Sequence, residues 1–322
     1  MSKTAIEAHE QNRASWNEAV VAHNSHKVDQ DGFFRNKGST LYPEEIGLLG
    51  NLAGLKVCHL QCNAGQDTLS LVTRLGAENP IGVDISDNAI EFATKLAKDS
   101  GIQGTFIRAD VFEFFDTTEA SQFDVVFVSY GTVNWLVDLE VARRLALLTS
   151  NTSVVTHTCA FETDYPLCSS FLWGRGVHKI LKSGGRIVFI DFHPVCYIFN
   201  EDMVHHYPYS SAGKPIHESG GVSDYVAYSN TGGEVMPNLK YQEGVQDFRN
   251  PNASVEFCWG LSDTIGSLVK AGMHLTHFKE YPYSNFFRPY KAMTSEHVEE
   301  GPRWRSTGPM LPLMYSVCAS KP

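Results

Sequence analysis

Two carboxylates and one small-residue turn carry the chemistry most visible in this sequence. The turn is Gln61-Cys-Asn-Ala-Gly65, set between the apolar run 57–60 and the amphipathic segment 66–75. The carboxylates are Asp84 and Asp110, which follow the apolar runs 80–83 and 105–108. A strand–turn–helix unit exposes free backbone N–H groups at its turn, and a carboxylate about 20 residues further on can accept both hydroxyls of a ribose. A parallel sheet gathers such strand ends at one edge, where ligands of open α/β folds sit. The residues therefore point to a nucleotide-type cofactor.

The glycine pattern narrows the cofactor. A dinucleotide needs Gly-x-Gly-x-x-Gly so that backbone can approach a pyrophosphate, and this turn has only Gly65. Dinucleotide binding is disfavoured. Asn63 suits a left-handed turn residue better than other side chains do, whereas Gln61 has no such excuse.

The elements that must position these residues alternate between strand and helix. Helix 66–75 is closed by Gly76, strand 81–83 ends in Asp84, helix 89–99 has Ser86 as its N-cap, and strands 106–108 and 123–129 follow. Lys182-Ser-Gly-Gly185 reads as a turn before a fifth strand at 186–191. Late in the chain a helix at 262–271, ended by Gly272, precedes strands 274–281 and 313–319. Alternation of this kind predicts a parallel sheet. Residues 4–28 read as a helix that Gly32 breaks, and Pro43 stands at a first helical position.

The wording His59-Leu-Gln-Cys-Asn-Ala-Gly-Gln-Asp-Thr, Ser129-Tyr-Gly, Asp191-Phe-His-Pro and Leu311-Pro-Leu-Met-Tyr resembles the class I S-adenosylmethionine (SAM)-dependent methyltransferases, and within them a group of small-molecule enzymes. The resemblance runs from Trp16 to the C-terminus. It implies an α/β, Rossmann-like class I methyltransferase fold: a seven-stranded, mostly parallel sheet with helices on both faces, an N-terminal helical cap at 1–50 and a methyltransferase domain at 51–322. A β-rich insert after strand 5, at 193–256, is expected to cover the substrate. SAM is the implied cofactor, and a small-molecule methyl acceptor the implied partner.

Position by position, the resemblance places Gln61, Cys62, Asn63 and Gly65 along the methionine end of SAM, Asp84 on the ribose and Asp110 at the adenine amino group. It sets Ile85 and Val111 against the ring and Ser129 near the methionine moiety. Tyr130 and Trp135 follow the fourth strand, where acceptor meets sulfonium, and Tyr130 offers a hydroxyl on an aromatic body. His193, just past the fifth strand, is the candidate base. His23 and His26 in the cap are candidate contacts to SAM or substrate. The sequence departs from the family at His59, where an acidic residue is usual, and at Gln61 and Asn63, which replace glycines.

Methyl transfer from a sulfonium is an in-line displacement in which proximity supplies most of the acceleration and a base helps only where the acceptor carries a proton. The expected function is transfer to O, N or S of a small organic acceptor. Two alternatives stay open: a non-catalytic SAM-binding or regulatory protein that kept the fold, and SAM-assisted chemistry of another kind, such as cyclisation or aminopropyl transfer.

Composition excludes other classes. A net charge of −10, from 26 Lys+Arg against 36 Asp+Glu, disfavours nucleic acid. No apolar run is long enough for a membrane span, and the N-terminus lacks a signal core, which predicts a cytoplasmic protein with no membrane partner. The seven cysteines lack Cys-x-x-Cys spacing and read as reduced thiols. His23-x-x-His26, His205-His206 and His217 with Asp224 form no tight ligand set, so no metal is expected.

One segment breaks the pattern. Removing 141–171 juxtaposes Leu139, Trp173, Val177, Ile180 and Leu181 as one amphipathic stripe, so the segment reads as an insertion into a complete helix. A lid loop, an added hairpin or a translated retained intron would each produce it; the last is preferred, because lids enter at loops.

Overall fold

The computed structural model describes residues 3–137, 171–228, 240–298 and 301–322. The central strands are β1 (Val57–Leu60), β2 (Ile81–Asp84), β3 (Thr105–Arg108), β4 (Phe123–Val128), β5 (Leu181–Phe192), β6 (His274–Tyr281) and β7 (Met314–Ser320). They form one seven-stranded sheet in the order β6-β7-β5-β4-β1-β2-β3, with β7 antiparallel to both neighbours and β1 to β5 mutually parallel. This is the Rossmann-like arrangement expected.

Helices cover both faces, which is why β1, β4 and the end of β5 are runs of Val, Ile, Leu and Phe rather than alternations. The helices are α1 (Lys3–Ser25), α2 (Gln30–Arg35), α3 (Pro43–Leu49), α4 (Gln66–Leu75), α5 (Asp87–Ser100), α6 (Val111–Thr117), α7 (Phe171–Ile180) and α8 (Leu261–Lys270). On one face Leu60, Val126, Val128 and Phe189 pack with Phe112, Trp173, Val177 and Leu268. On the other, Val125, Phe127 and Ile190 pack with Leu49, Leu71 and Leu75. Pairing Leu60 with both Val83 and Val128 brings the ends of β1, β2 and β4 level, so the loops after them meet at one edge.

Several local expectations need correction. The expected turn at 182–185 lies inside β5 as an irregularity, where pairing slips between Phe123/Leu181 and Val125/Arg186 and Gly184 takes φ 76°. Gly32 does not break a helix: it lies within α2, and the chain turns earlier, at left-handed Asp29. A three-stranded sheet of Ser284–Asn285, Gly301–Ser306 and Met293–Val298 was not expected; polar residues such as Glu296, Arg303 and Arg305 hide the strand signal. Within 193–256, Ile216–Glu218 pairs antiparallel with Ser254–Glu256, in keeping with the β-rich segment the resemblance implied.

The proposed insertion at 141–171 lies outside the described residues up to Phe171. Beyond it, α7 buries Trp173, Val177 and Ile180, the stripe read from the sequence. Its glycines let it lie close to its neighbours: a Cβ at Gly174 would fall 2.2 Å from the Ser267 carbonyl oxygen, and one at Gly176 would fall 2.0 Å from the Phe115 ring. Among the described residues no helix is long and apolar enough to cross a membrane.

Candidate active site

The turn after β1 keeps a glycine-like backbone without the glycines. Gln61 and Asn63 take φ of 53° and 47°, and Gly65 takes 81°. Asn63 stabilises its own conformation, its Oδ1 accepting the Ala64 N–H at 2.7 Å. Gln61 is anchored through Nε2, which donates to the Thr132 carbonyl at 2.8 Å. Gly65 has no room for a side chain, since a Cβ would sit 2.7 Å from Ala93 Cβ and 2.8 Å from the Phe106 ring. Cys62 is buried, its N–H donating to the Val83 carbonyl at 2.9 Å, and burial pushes its thiol well up.

Asp84 is fixed against this turn. Its Oδ2 accepts the Asn63 N–H at 2.8 Å and its Oδ1 the Ser86 N–H at 2.9 Å, while burial raises its pKa. The Ile85 N–H also draws on this carboxylate, and of its roughly four lone-pair sites one remains for a ligand hydroxyl. Half-buried Ile85 lies next along the chain, before α5.

Asp110 is more fully engaged. Its Oδ1 caps α6 by accepting the Phe112 N–H at 2.7 Å, and its Oδ2 accepts from His9 Nδ1 of α1. The His9 Nε2 accepts the Val137 N–H at 3.1 Å, which fixes the tautomer, and the ring stacks on Phe112. Burial alone would raise the Asp110 pKa; the His9 contact and the cap N–H groups bring it below the ordinary value. Val111 is buried beside it.

Ser129 belongs to a buried chain of hydrogen bonds. His59 Nδ1 lies 2.8 Å from Thr68 Oγ1 and its Nε2 3.1 Å from Ser129 Oγ, which donates to Asp67 Oδ2 at 3.2 Å. Thr40 Oγ1 donates to Asp67 Oδ1 at 2.6 Å. Burial holds His59 down at about 3, so it is neutral and ties β1 to the loop after β4. Beside it, Asp191 Oδ1 accepts N–H groups from Gly131 at 2.6 Å and Phe192 at 2.7 Å, and burial lifts the carboxyl to about 7.

Tyr130 and His193 face different partners. The Tyr130 hydroxyl donates to Glu45 of α3 and accepts from Asn285 Nδ2 at 3.1 Å; its ring packs on Phe192 and Phe286. Glu45 is buried, its Oε2 has no hydrogen-bond partner among the described residues, and burial pushes its pKa well up. His193 Nδ1 accepts the Val195 N–H at 3.1 Å, and Nε2 lies 3.1 Å from Glu280 Oε1 of β6, out of line for a hydrogen bond. Burial lowers its pKa, against the pull of Glu280. The structure turns His193 toward the β6 edge and does not join it to Tyr130.

The cap residues close on one another. His26 Nε2 donates to Asp224 Oδ2 at 2.9 Å, and His23 Nε2 donates to the Ser223 carbonyl at 2.9 Å. His23, lowered to about 4 by burial, has no hydrogen-bond partner for Nδ1 among the described residues. Trp135 meets Trp16 edge to face at 5.3 Å, and Trp16 packs on Ala64 and Ala89, at the turn and at the start of α5. Lys27 faces Asp67 and Asp224, and burial brings it down to about 8. Among the described residues no cluster of three metal-ligating side chains occurs.

A family model described as a methyltransferase domain matches residues 51–221, more than half of the chain. The chain belongs to the class I SAM-dependent methyltransferase family. It is an enzyme of that family, and its cofactor is SAM. Its structure is similar to that of a SAM-dependent methyltransferase from Mesorhizobium loti, at 19% identity over 88% of this chain and 99% of the other, with a TM-score of 0.46. It is also similar to geranyl diphosphate C-methyltransferase from Streptomyces coelicolor A3(2), solved with Mg2+, geranyl diphosphate and S-adenosyl-L-homocysteine, at 11% identity over 100% of both chains, with a TM-score of 0.50. At such identities the likeness is one of fold. No curated protein matches the sequence.

SAM fits the methyltransferase edge described above. Asp84 has a lone pair to spare, and the side-chain amide oxygen of Gln61 is buried with no hydrogen-bond partner among the described residues. The sequence did not single out His9, Glu45, Thr132 or Asp191. Asp191 carried a signal, as the last polar residue of an apolar strand. His9 and Glu45 carried none, because their partners Asp110 and Tyr130 lie 101 and 85 positions away.

Proposed function

We propose that this methyltransferase acts on O, N or S of a small organic acceptor held between the sheet edge and the cap of α1 and insert 193–256. The observation that carries the reading is the Asp84 carboxylate, fixed by Asn63 and Ser86 N–H groups at the edge where the loop Ser129–Thr132 also ends. Gln61, Cys62, Asn63 and Gly65 would follow the methionine part, Asp84 the ribose, and Ile85 and Val111 the adenine faces. Asp110 would share its carboxylate between His9 and the adenine amino group.

Bound SAM supplies an electrophilic methyl group on a sulfonium. The chain's own task is to orient the acceptor and exclude water. The aromatic group Tyr130, Phe192, Phe286 and Phe287 supports an acceptor with an apolar or aromatic body. Tyr130, held by Glu45 and Asn285 and pushed well up in pKa by burial, would orient the acceptor as a neutral hydrogen-bonding group; His193 serves the seam with β6. His23, His26 and Trp135 shape the cap. Five buried free cysteines among the described residues suit a cytoplasmic setting.

The test is release of S-adenosylhomocysteine across a panel of phenols, carboxylates, amines and thiols. On a responsive acceptor, Tyr130→Phe is expected to lower kcat by roughly 10- to 100-fold and His193→Ala by less than about threefold. Binding of SAM with no turnover on any acceptor would favour the regulatory alternative.

A further inference from the structure

Resting on the methyl-transfer reading above, we propose that the strand pair Ile216–Glu218 and Ser254–Glu256 carries the recognition face for the acceptor, that Glu256 receives its amino group, and that the substrate is an amine with an aromatic or apolar body. The register sets Ile216 opposite Glu256 and Glu218 opposite Ser254. Side chains two apart along a strand share a face, so Glu218, Ser254 and Glu256 stand on one side of the pair. The alternate residues Val255, Phe257 and Trp259 belong to the core. The Phe257 N–H donates to the Asn134 carbonyl at 2.8 Å, which ties Glu256 to the loop after β4.

That face is polar, sheltered and short of partners. Ser254 is fully buried, and its Oγ has no hydrogen-bond partner among the described residues. Half-buried Glu256 makes neither a side-chain hydrogen bond nor an ion pair with them, whereas Glu218 accepts from the Tyr207 hydroxyl. Burial, with the Glu218 carboxylate beside it, lifts Glu256 to about 7. Tyr197, in the short helix Val195–Ile198 after β5, lies within electrostatic reach of Glu256, and its hydroxyl has no hydrogen-bond partner among the described residues. Its ring stacks on Phe287 at 6.4 Å, and Phe287 packs on Phe192. Tyr197 thereby joins the carboxylate to the aromatic group that would hold the acceptor's body.

A sheltered carboxylate without a donor, next to a second carboxylate, favours a group that is rich in N–H or cationic. A phenolate, thiolate or carboxylate acceptor would meet two charges of its own sign. An amine can offer N–H groups to Glu256 and to the Tyr197 hydroxyl and still keep its lone pair for the methyl group. In the transfer that lone pair forms the N–CH3 bond as the S–CH3 bond breaks, the electron pair of the broken bond stays on sulfur, and the proton shed by nitrogen passes to the Glu256 carboxylate.

The test gives the full chain and Glu256→Gln three amines, benzylamine, phenethylamine and tryptamine, each with its hydroxyl and thiol counterpart. Binding is read calorimetrically on the S-adenosylhomocysteine complex, and turnover with SAM by mass of the methylated product. At least one amine is expected to bind about tenfold or more tightly than its hydroxyl counterpart and to be methylated at nitrogen, and Glu256→Gln to lower its kcat/KM by about 30-fold or more with S-adenosylhomocysteine affinity held within about twofold. Transfer to oxygen or sulfur but not nitrogen, amine turnover indifferent to Glu256→Gln, or no binding of any amine to the S-adenosylhomocysteine complex overturns this inference alone. Amine binding without methylation of any probe, or failure of the unmodified protein to bind S-adenosylhomocysteine, counts against the methyl-transfer reading and overturns this inference with it.

Discussion

His26 and Asp224, 198 positions apart, form a closed pair: Nε2–H donates to Asp224 Oδ2 at 2.9 Å while Nδ1 accepts the Gly244 N–H at 3.0 Å. Both side chains are buried, and the Tyr241 ring stacks on His26. The pair clamps the end of α1 to two stretches of the insert. Asp224→Ala leaves a buried N–H without an acceptor, which costs about 1–3 kcal/mol. A lower midpoint in chemical denaturation is expected; an unchanged midpoint would show that the clamp contributes nothing.

The turn after β1 predicts a contrast between neighbours. Gly65→Ala adds a methyl group 2.7 Å from Ala93 Cβ at φ 81°, and strain plus overpacking should cost about 2–4 kcal/mol. Asn63→Gly, at a position already left-handed, should cost less than about 1 kcal/mol, chiefly the Oδ1 contact to Ala64. Thermal unfolding of the two variants checks the order, and a reversed order would mean that the turn is not held as described.

Asp191 should write a pH dependence into stability. Its folded pKa, lifted to about 7 by burial, lies above the unfolded value, so the folded state binds the proton more tightly. Stability is then full below about pH 4 and is lost as pH rises toward 7. Asp191→Asn keeps an acceptor for Gly131 and Phe192 but cannot ionise. It should be more stable than the parent at pH 8, by on the order of 1–4 kcal/mol, and no more stable at pH 4. Parallel stability–pH curves for the two proteins would count against it.

Much of this architecture was legible because its signals are local. Strands β1 to β4 are short apolar runs bounded by turn residues, Ser86 caps α5 through the Ala89 N–H as its position predicted, and Gly76 ends α4 in the left-handed conformation. Asp84 could be placed because strand ends converge by topology. The acid–base assignments did not follow so well. His193 looked exposed to the acceptor from its place after β5, yet Glu280 of β6 faces its Nε2. Glu45 stands in the first turn of α3, and only the fold puts it against Tyr130. Such long-range pairs leave no periodic trace in a single sequence.

The most direct test of the cofactor site is calorimetric titration of SAM and S-adenosylhomocysteine into the full chain and into Asp84→Ala. Both ligands should bind the full chain, and loss of the carboxylate that holds the ribose should weaken both by about tenfold or more, the worth of hydrogen bonds to a charged group. Binding indifferent to Asp84→Ala, or no binding of either ligand to the folded protein, would contradict the placement of SAM at this edge.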